Sequence, residues 1–182
     1  MDRRAFLAAG AVSGSLMTGS AASATTYFTG DAVKRALFPG ATRFVDRSMT
    51  LTKAQMATIS TKAATRVSAA NVTAFDAYGA SGKLGTLFID KVYGKHEFIT
   101  YALALDALGT VGSVEVMDYR ESYGEQIRLP KWRAQFEGKR SGQPLRIDHE
   151  IKNISGATLS SVHITEGVRR LLATYSLVLR DV

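Results

Sequence analysis

Glu97-Phe98-Ile99-Thr100-Tyr101-Ala102-Leu103-Ala104-Leu105 alternates with a period of two. Ile99, Tyr101, Leu103 and Leu105 fall on one face, and the small residues Thr100, Ala102 and Ala104 on the other, which is the pattern of a β-strand. A face lined by alanines has room for a helix. Working outward, Val72 to Tyr78, Leu84 to Tyr93 and Val111 to Tyr119 read as three further strands. The turns between the four fall at Gly79 to Gly82, Gly94-Lys95 and Asp106 to Gly109. Connections this short join antiparallel neighbours. Asp31 to Leu37, stopped by Pro39-Gly40, and Lys53 to Ala64, with Thr52 as N-cap, read as helices. Pro130 to Gly138 reads as a short helix with Pro130 near its first position. The expected fold is α+β: an antiparallel sheet with helices packed against it.

The longest helical pattern closes the chain. After Thr158, the residues Ile164, Val168, Leu171, Leu172, Tyr175 and Leu179 recur at steps of three and four, so one face is buried. Lys152-Asn153-Ile154-Ser155-Gly156-Ala157-Thr158-Leu159-Ser160-Ser161 runs straight into it. This places Thr158 at or just before a helix N-terminus, where unpaired backbone N–H groups and the macrodipole favour an anion such as phosphate. Gly156 can take a positive φ, and Gly156 and Ala157 leave room beside the backbone. Ser155 and Ser160 are candidate hydrogen-bond partners for the anion, and Lys152 a candidate charge partner. Thr158, Ser155 or Ser160 could equally serve as the helix cap.

Ser155-Gly156-Ala157-Thr158 resembles the attachment motif of FMN-binding domains related to the flavin-carrying subunits of the sodium-translocating NADH:quinone oxidoreductase and Rnf-type complexes. The resemblance extends from about Val72 to Ala173. It includes Gly94-Lys95-His96-Glu97-Phe98-Ile99-Thr100-Tyr101, Tyr119-Arg120-Glu121-Ser122-Tyr123-Gly124-Glu125 and Phe136-Glu137-Gly138-Lys139, in that order. It implies FMN as cofactor, esterified through its phosphate to Thr158 by a flavin transferase of the ApbE type. It also implies that Glu121, Tyr123 and Gly124 lie close to the flavin, in the place of a Glu-Thr-Pro-Gly loop, with Tyr123 where the family has Pro. The family carries Asp six residues before the modified Thr, and Lys152 stands there. Trp132, the only Trp, shares a helix face with Phe136 and is a further candidate for the flavin slot.

Residues 1–24 read as an export signal. Asp2-Arg3-Arg4 is a charged start, Ala5 to Met17 a mostly apolar run, and Ala22-Ser23-Ala24 a small-residue cleavage site. Arg3-Arg4-Ala5-Phe6-Leu7 resembles a twin-arginine (Tat) signal. The apolar run is short of the ~20 residues that span a bilayer. The expected organisation is a signal at 1–24, an N-terminal helical segment at 25–70 and the FMN-binding domain at 71–182. The expected location is the periplasm or another extracytoplasmic space, with membrane association left open.

The chain has no Cys, which excludes iron–sulfur ligation, C-x-x-C-H haem attachment and thiol redox chemistry. An electron carried here must sit on an organic cofactor. The net charge of +7 is spread along the chain without an RNP or helix-turn-helix pattern, so nucleic acid is not the expected partner. His96, His149 and His163 make no metal-binding pattern, and no Gly-x-Ser-x-Gly elbow or dinucleotide fingerprint is present. Taken with the resemblance, these point to an exported electron carrier with a membrane redox partner, rather than an enzyme with its own substrate. A flavin-free periplasmic binding or scaffold module on the same fold is the alternative.

Overall fold

The computed structural model describes residues 25, 26 and 28–180. The expected export signal lies outside the described residues. Among the described residues no helix is long and apolar enough to cross a membrane.

Among the described residues, seven strands form one antiparallel sheet. They are β1 (Thr25–Thr26), β2 (Arg43–Asp46), β3 (Met49–Thr50), β4 (Asn71–Gly79), β5 (Gly82–Tyr93), β6 (Phe98–Asp106) and β7 (Val111–Tyr119). The order is β1-β7-β6-β5-β4-β2, with β3 also paired to β4. The four long strands follow one another as a meander, as the short turns require. At the β6–β7 turn, Asp106 Oδ1 accepts from the N–H groups of Leu108 at 2.9 Å and Thr110 at 2.8 Å, the local bonding that makes Asp a turn residue.

Among the described residues, four α-helices accompany the sheet: α1 (Gly30–Leu37), α2 (Lys53–Ala63), α3 (Pro130–Arg133) and α4 (Thr158–Thr174). The two faces of β6 go to two different cores. Ala102 and Ala104 pack with Val33 of α1, Leu87 and Met117. Ile99, Tyr101, Leu103 and Leu105 join the larger core with Ile164, Val168, Leu171 and Leu172 of α4. The alanine face thus lies under a helix, and the large-residue face carries the closing helix. Each fully buried aliphatic side chain contributes ~1.5–3 kcal/mol of transfer free energy, so the α4 stripe is a main anchor of that helix. Past Thr174 the chain continues as one π-helical turn, Tyr175–Leu179, which keeps Tyr175 and Leu179 buried.

Local signals explain the helix starts. Thr52 accepts from the Gln55 N–H at 3.2 Å while Gln55 Oε1 accepts from the Thr52 N–H at 2.8 Å, a reciprocal cap for α2. Residues 25–70 hold the two expected helices and also β1, β2 and β3. Two to four residues are too few for alternation to be visible, and these strands exist because the longer β4 and β7 offer them edges.

One polar cluster ties α4 to the sheet. Asp90 of β5 and Tyr101 of β6 are cross-strand partners. The Tyr101 hydroxyl donates to Asp90 Oδ2 at 2.7 Å, and Arg170 Nη2 of α4 donates to the same oxygen at 2.5 Å. Gly167 makes this approach possible, because a Cβ there would lie 2.3 Å from the Tyr101 hydroxyl oxygen. Burial, reinforced by the adjacent Asp90 carboxylate, raises the Tyr101 phenol well above its ordinary range. An acid whose folded-state pKa is raised stabilises the fold fully below its unfolded pKa, and loses that contribution as pH climbs beyond it. The urea midpoint is therefore expected to fall from pH about 10 upward. The slope should be shallower for Tyr101→Phe, and equal slopes for the two proteins would refute this assignment.

Candidate functional site: a cleft at the N-terminus of the closing helix

Ile154 to Ala157 form a tight turn, closed by the Ala157 N–H donating to the Ile154 carbonyl at 3.0 Å, with Gly156 at φ +82°. A third turn residue with positive φ is the geometry Gly supplies without strain. The turn delivers Thr158 as the first residue of α4. The cap position is Ala157, and no side chain caps the helix, so neither Thr158, Ser155 nor Ser160 takes that role. The Thr158 side chain is exposed. The first N–H groups of the helix lack intrahelical acceptors, and the residues that carry them line the same cleft as Thr158.

This turn forms one wall of a cleft of about 370 Å³ lined by Gly156, Ala157, Thr158, Leu159 and Ser160. Two segments distant in sequence form the rest: Lys95 and His96 at the β5–β6 hairpin, and Glu121, Ser122 and Tyr123 after β7. The volume lies in the ~300–1,000 Å³ range of small-molecule sites. Tyr123 is 80% exposed, so its ring is free to cover a planar ligand.

Two close contacts fix the walls. Gly124, at φ +93°, packs against the residue before Thr158; a Cβ there would lie 2.2 Å from Ala157 Cβ. The Tyr119 hydroxyl donates to the Tyr123 carbonyl and holds the same loop to the sheet. On the other side, Glu121 Oε1 accepts from the N–H groups of His96 at 2.7 Å and Glu97 at 3.1 Å. Gly94 leaves space for this carboxylate, since a Cβ there would sit 2.3 Å from Glu121 Oε1. Partial burial works against the Glu121 charge, but the N–H groups of His96, Glu97 and Lys95 outweigh it and hold the carboxyl below its usual range.

The structure thus brings together Thr158, Gly156, Ala157, Ser160, Glu121 and Tyr123, with Gly124 as the contact that joins two of the walls. Ser155 is exposed on the turn. Lys152 and Trp132 do not join the cleft. They line a separate depression of about 300 Å³ with Leu129 and Gln135, where the indole N–H of Trp132 donates to the Lys152 carbonyl at 2.7 Å. Trp132 is buried and packs edge-on against Phe136, with ring centroids 5.2 Å apart, as a core residue. The cleft also includes Lys95, His96, Ser122 and Leu159, to which the sequence reading assigned no role. Lys95 and His96 fall in the 94–101 stretch that carries the resemblance, but their nearness to Thr158 is a long-range contact that the sequence does not display.

Two larger depressions, of about 490 and 540 Å³, lie beside the C-terminal end of α2 and along the β5–α4 side. Neither includes residues 156–160. The cleft at Thr158 is preferred because it joins an uncommitted hydroxyl to a helix N-terminus and an exposed aromatic ring.

Residues 94–173 match the family model of the FMN-binding domain, and every residue lining the cleft falls inside that range. What the match defines is an FMN-binding domain over those residues, with FMN as its cofactor. Among solved structures, the chain is similar to NqrC of Shewanella oneidensis, at 17% identity and a TM-score of 0.44, over 82% of this chain and 71% of that one. No curated protein matches the chain significantly. The residues present suit the cofactor: an exposed hydroxyl beside unpaired N–H groups for the phosphate, and open space at Gly156, where a Cβ would meet nothing within 4 Å.

Proposed function

We propose that this protein is an exported electron carrier whose FMN is esterified to Thr158. The observation that carries the reading is the position of the Thr158 hydroxyl: exposed, not used as a cap, and on the rim of a cleft inside the matched domain. Bound flavin supplies one- and two-electron redox chemistry, which a chain without Cys has no thiol or iron–sulfur means to provide. The chain's own residues bind and orient. The α4 N-terminus and Thr158 take the phosphate, and Tyr123 flanks the ring.

The attachment requires an activated donor, because condensing free FMN with a hydroxyl must expel water. A flavin dinucleotide meets the need. The Thr158 oxygen bonds to the phosphorus next to the flavin, its proton passes to a base of an ApbE-type flavin transferase, and the pyrophosphate bond breaks to release a nucleoside monophosphate. The twin-arginine start supports export, and the net charge of +7 supports encounter with an acidic face on a membrane redox partner. Co-expression with a flavin transferase tests the reading. The Thr158 peptide should gain the mass of FMN less one water and fluoresce on a denaturing gel. A bare peptide, with no flavin taken up by the folded chain, would support the flavin-free scaffold instead.

Lys152 offers a second check. It is exposed, and both of its hydrogen bonds use its main chain: its N–H donates to Gln135 Oε1 at 2.8 Å, and its carbonyl accepts from Trp132. Lys152→Asp should leave the fold intact and restore the carboxylate of the attachment motif. One hydrogen bond to a charged group is worth ~1.5 kcal/mol, so flavin transfer at limiting enzyme should quicken by about tenfold. Time courses by intact mass measure it, and equal rates would show that the transferase does not read this position.

A further inference from the structure

We propose that Lys95, at the tip of the β5–β6 hairpin, is the charge partner of the FMN phosphate, with Glu121 as the positioning residue that holds the hairpin tip to the cleft. This rests on the reading that the cleft holds FMN.

The assignment follows from an inventory of the cleft walls. Besides Tyr123, the ionisable side chains lining the cleft are Lys95, His96 and Glu121. Glu121 is turned to the hairpin, accepting from the N–H groups of His96 at 2.7 Å and Glu97 at 3.1 Å. Lys95 is exposed and forms no ion pair among the described residues. It is therefore the one lysine or arginine on the cleft, on the wall formed by a different element from Thr158. A phosphate placed at the α4 N-terminus would meet N–H donors on the helix side and an ammonium on the hairpin side, the pairing in which Lys acts as a point charge.

Glu121 makes this arrangement specific to the folded chain. Without its carboxylate, the hairpin tip keeps its internal hydrogen bonds from Gly94 to Glu97 and from Tyr93 to His96 but loses the two that tie it to the 120–124 loop. Gly94 belongs to the same device, since any side chain there would displace Glu121. Lys152 is excluded from the role by its place in the depression around Trp132.

The test uses the chain produced without a flavin transferase, titrated with FMN and with riboflavin, which lacks the phosphate. Flavin fluorescence reports both affinities, at low salt and at high salt. Wild type should prefer FMN, and the preference should shrink with salt. Lys95→Gln should lower FMN affinity by about two- to fivefold, the upper part of the range for one exposed charge pair, and leave riboflavin affinity unchanged. Lys95→Arg should retain the preference, Glu121→Ala should reduce it in part, and Lys152→Gln should not move it. If wild type takes up neither flavin, the flavin reading fails and this assignment goes with it. If wild type prefers FMN and Lys95→Gln keeps the full preference, or if Lys152→Gln removes it, the assignment to Lys95 alone is overturned.

Discussion

Thr158→Ala should abolish covalent flavin completely and leave the fold as stable as wild type. The first half follows from chemistry: the proposed ester needs a hydroxyl oxygen at the rim of the cleft, and Ala has none. The second half follows from structure. Thr158 is exposed at the first helical position, and the helix has no side-chain cap to lose. Ala has the higher helix propensity, by a few tenths of a kcal/mol. The change in unfolding free energy should therefore stay within ~0.5 kcal/mol. Intact mass and in-gel fluorescence read the first outcome, and a urea titration reads the second. Thr158→Ser should restore the ester. Flavin persisting on the Ala variant would move the attachment to Ser155 or Ser160, while a collapsed fold would mean that the hydroxyl has a structural role not visible in its contacts.

Asp90→Ala should be strongly destabilising, costing about 3 kcal/mol. Asp90 and Arg170 keep only 17% and 14% of their side-chain surface in solvent. Removing one partner leaves a guanidinium in a place where water solvates it poorly, and breaking a buried pair costs roughly 3–5 kcal/mol. The value is set at the low end of that range because both groups retain some solvent contact. The Tyr101 hydroxyl loses its acceptor at the same time. The double variant Asp90→Leu with Arg170→Met removes both charges, so it should recover part of the loss. Urea midpoints for wild type, the single and the double variant form the comparison. A double variant no better than the single would show that packing, rather than the stranded charge, carries the cost. Because α4 presents Thr158 at its other end, flavin occupancy in Asp90→Ala should fall along with stability.

Both predictions depend on α4, and that helix shows how much the chain discloses without coordinates. Its apolar residues repeat at helical spacing, and Ile164, Val168, Leu171, Leu172, Tyr175 and Leu179 are all buried in the structure. The alternation in β6 was equally legible, because each residue contributes to a pattern that only one local geometry satisfies. The capping box at Thr52 and Gln55 and the glycines at the hairpin turns were local signals of the same sort. β1, β2 and β3 were not legible, because strands of two to four residues owe their existence to a partner edge rather than to their own sequence.

The site divides along the same line. Ser155-Gly156-Ala157-Thr158 marked the turn that opens α4, and Gly156 does take the positive φ the turn demands. Lys152 and Trp132 were drawn to the site by nearness in sequence or by residue type, yet a hydrogen bond from the Trp132 indole to the Lys152 carbonyl joins them at a different depression. Lys95 and His96 reach Thr158 from more than sixty positions away.

What the amino-acid sequence determined by itself was the set of local geometries: four long strands, the principal helices, and the turn that opens α4. Each is decided by residues within a few positions of one another. What only the tertiary structure decided was the company Thr158 keeps. Which side chains share a cleft depends on how a hairpin tip, a post-strand loop and a helix N-terminus meet. That meeting is set by close approaches at Gly94 and Gly124 and by the hydrogen bonds of Glu121, none of which leaves a periodic trace along the chain.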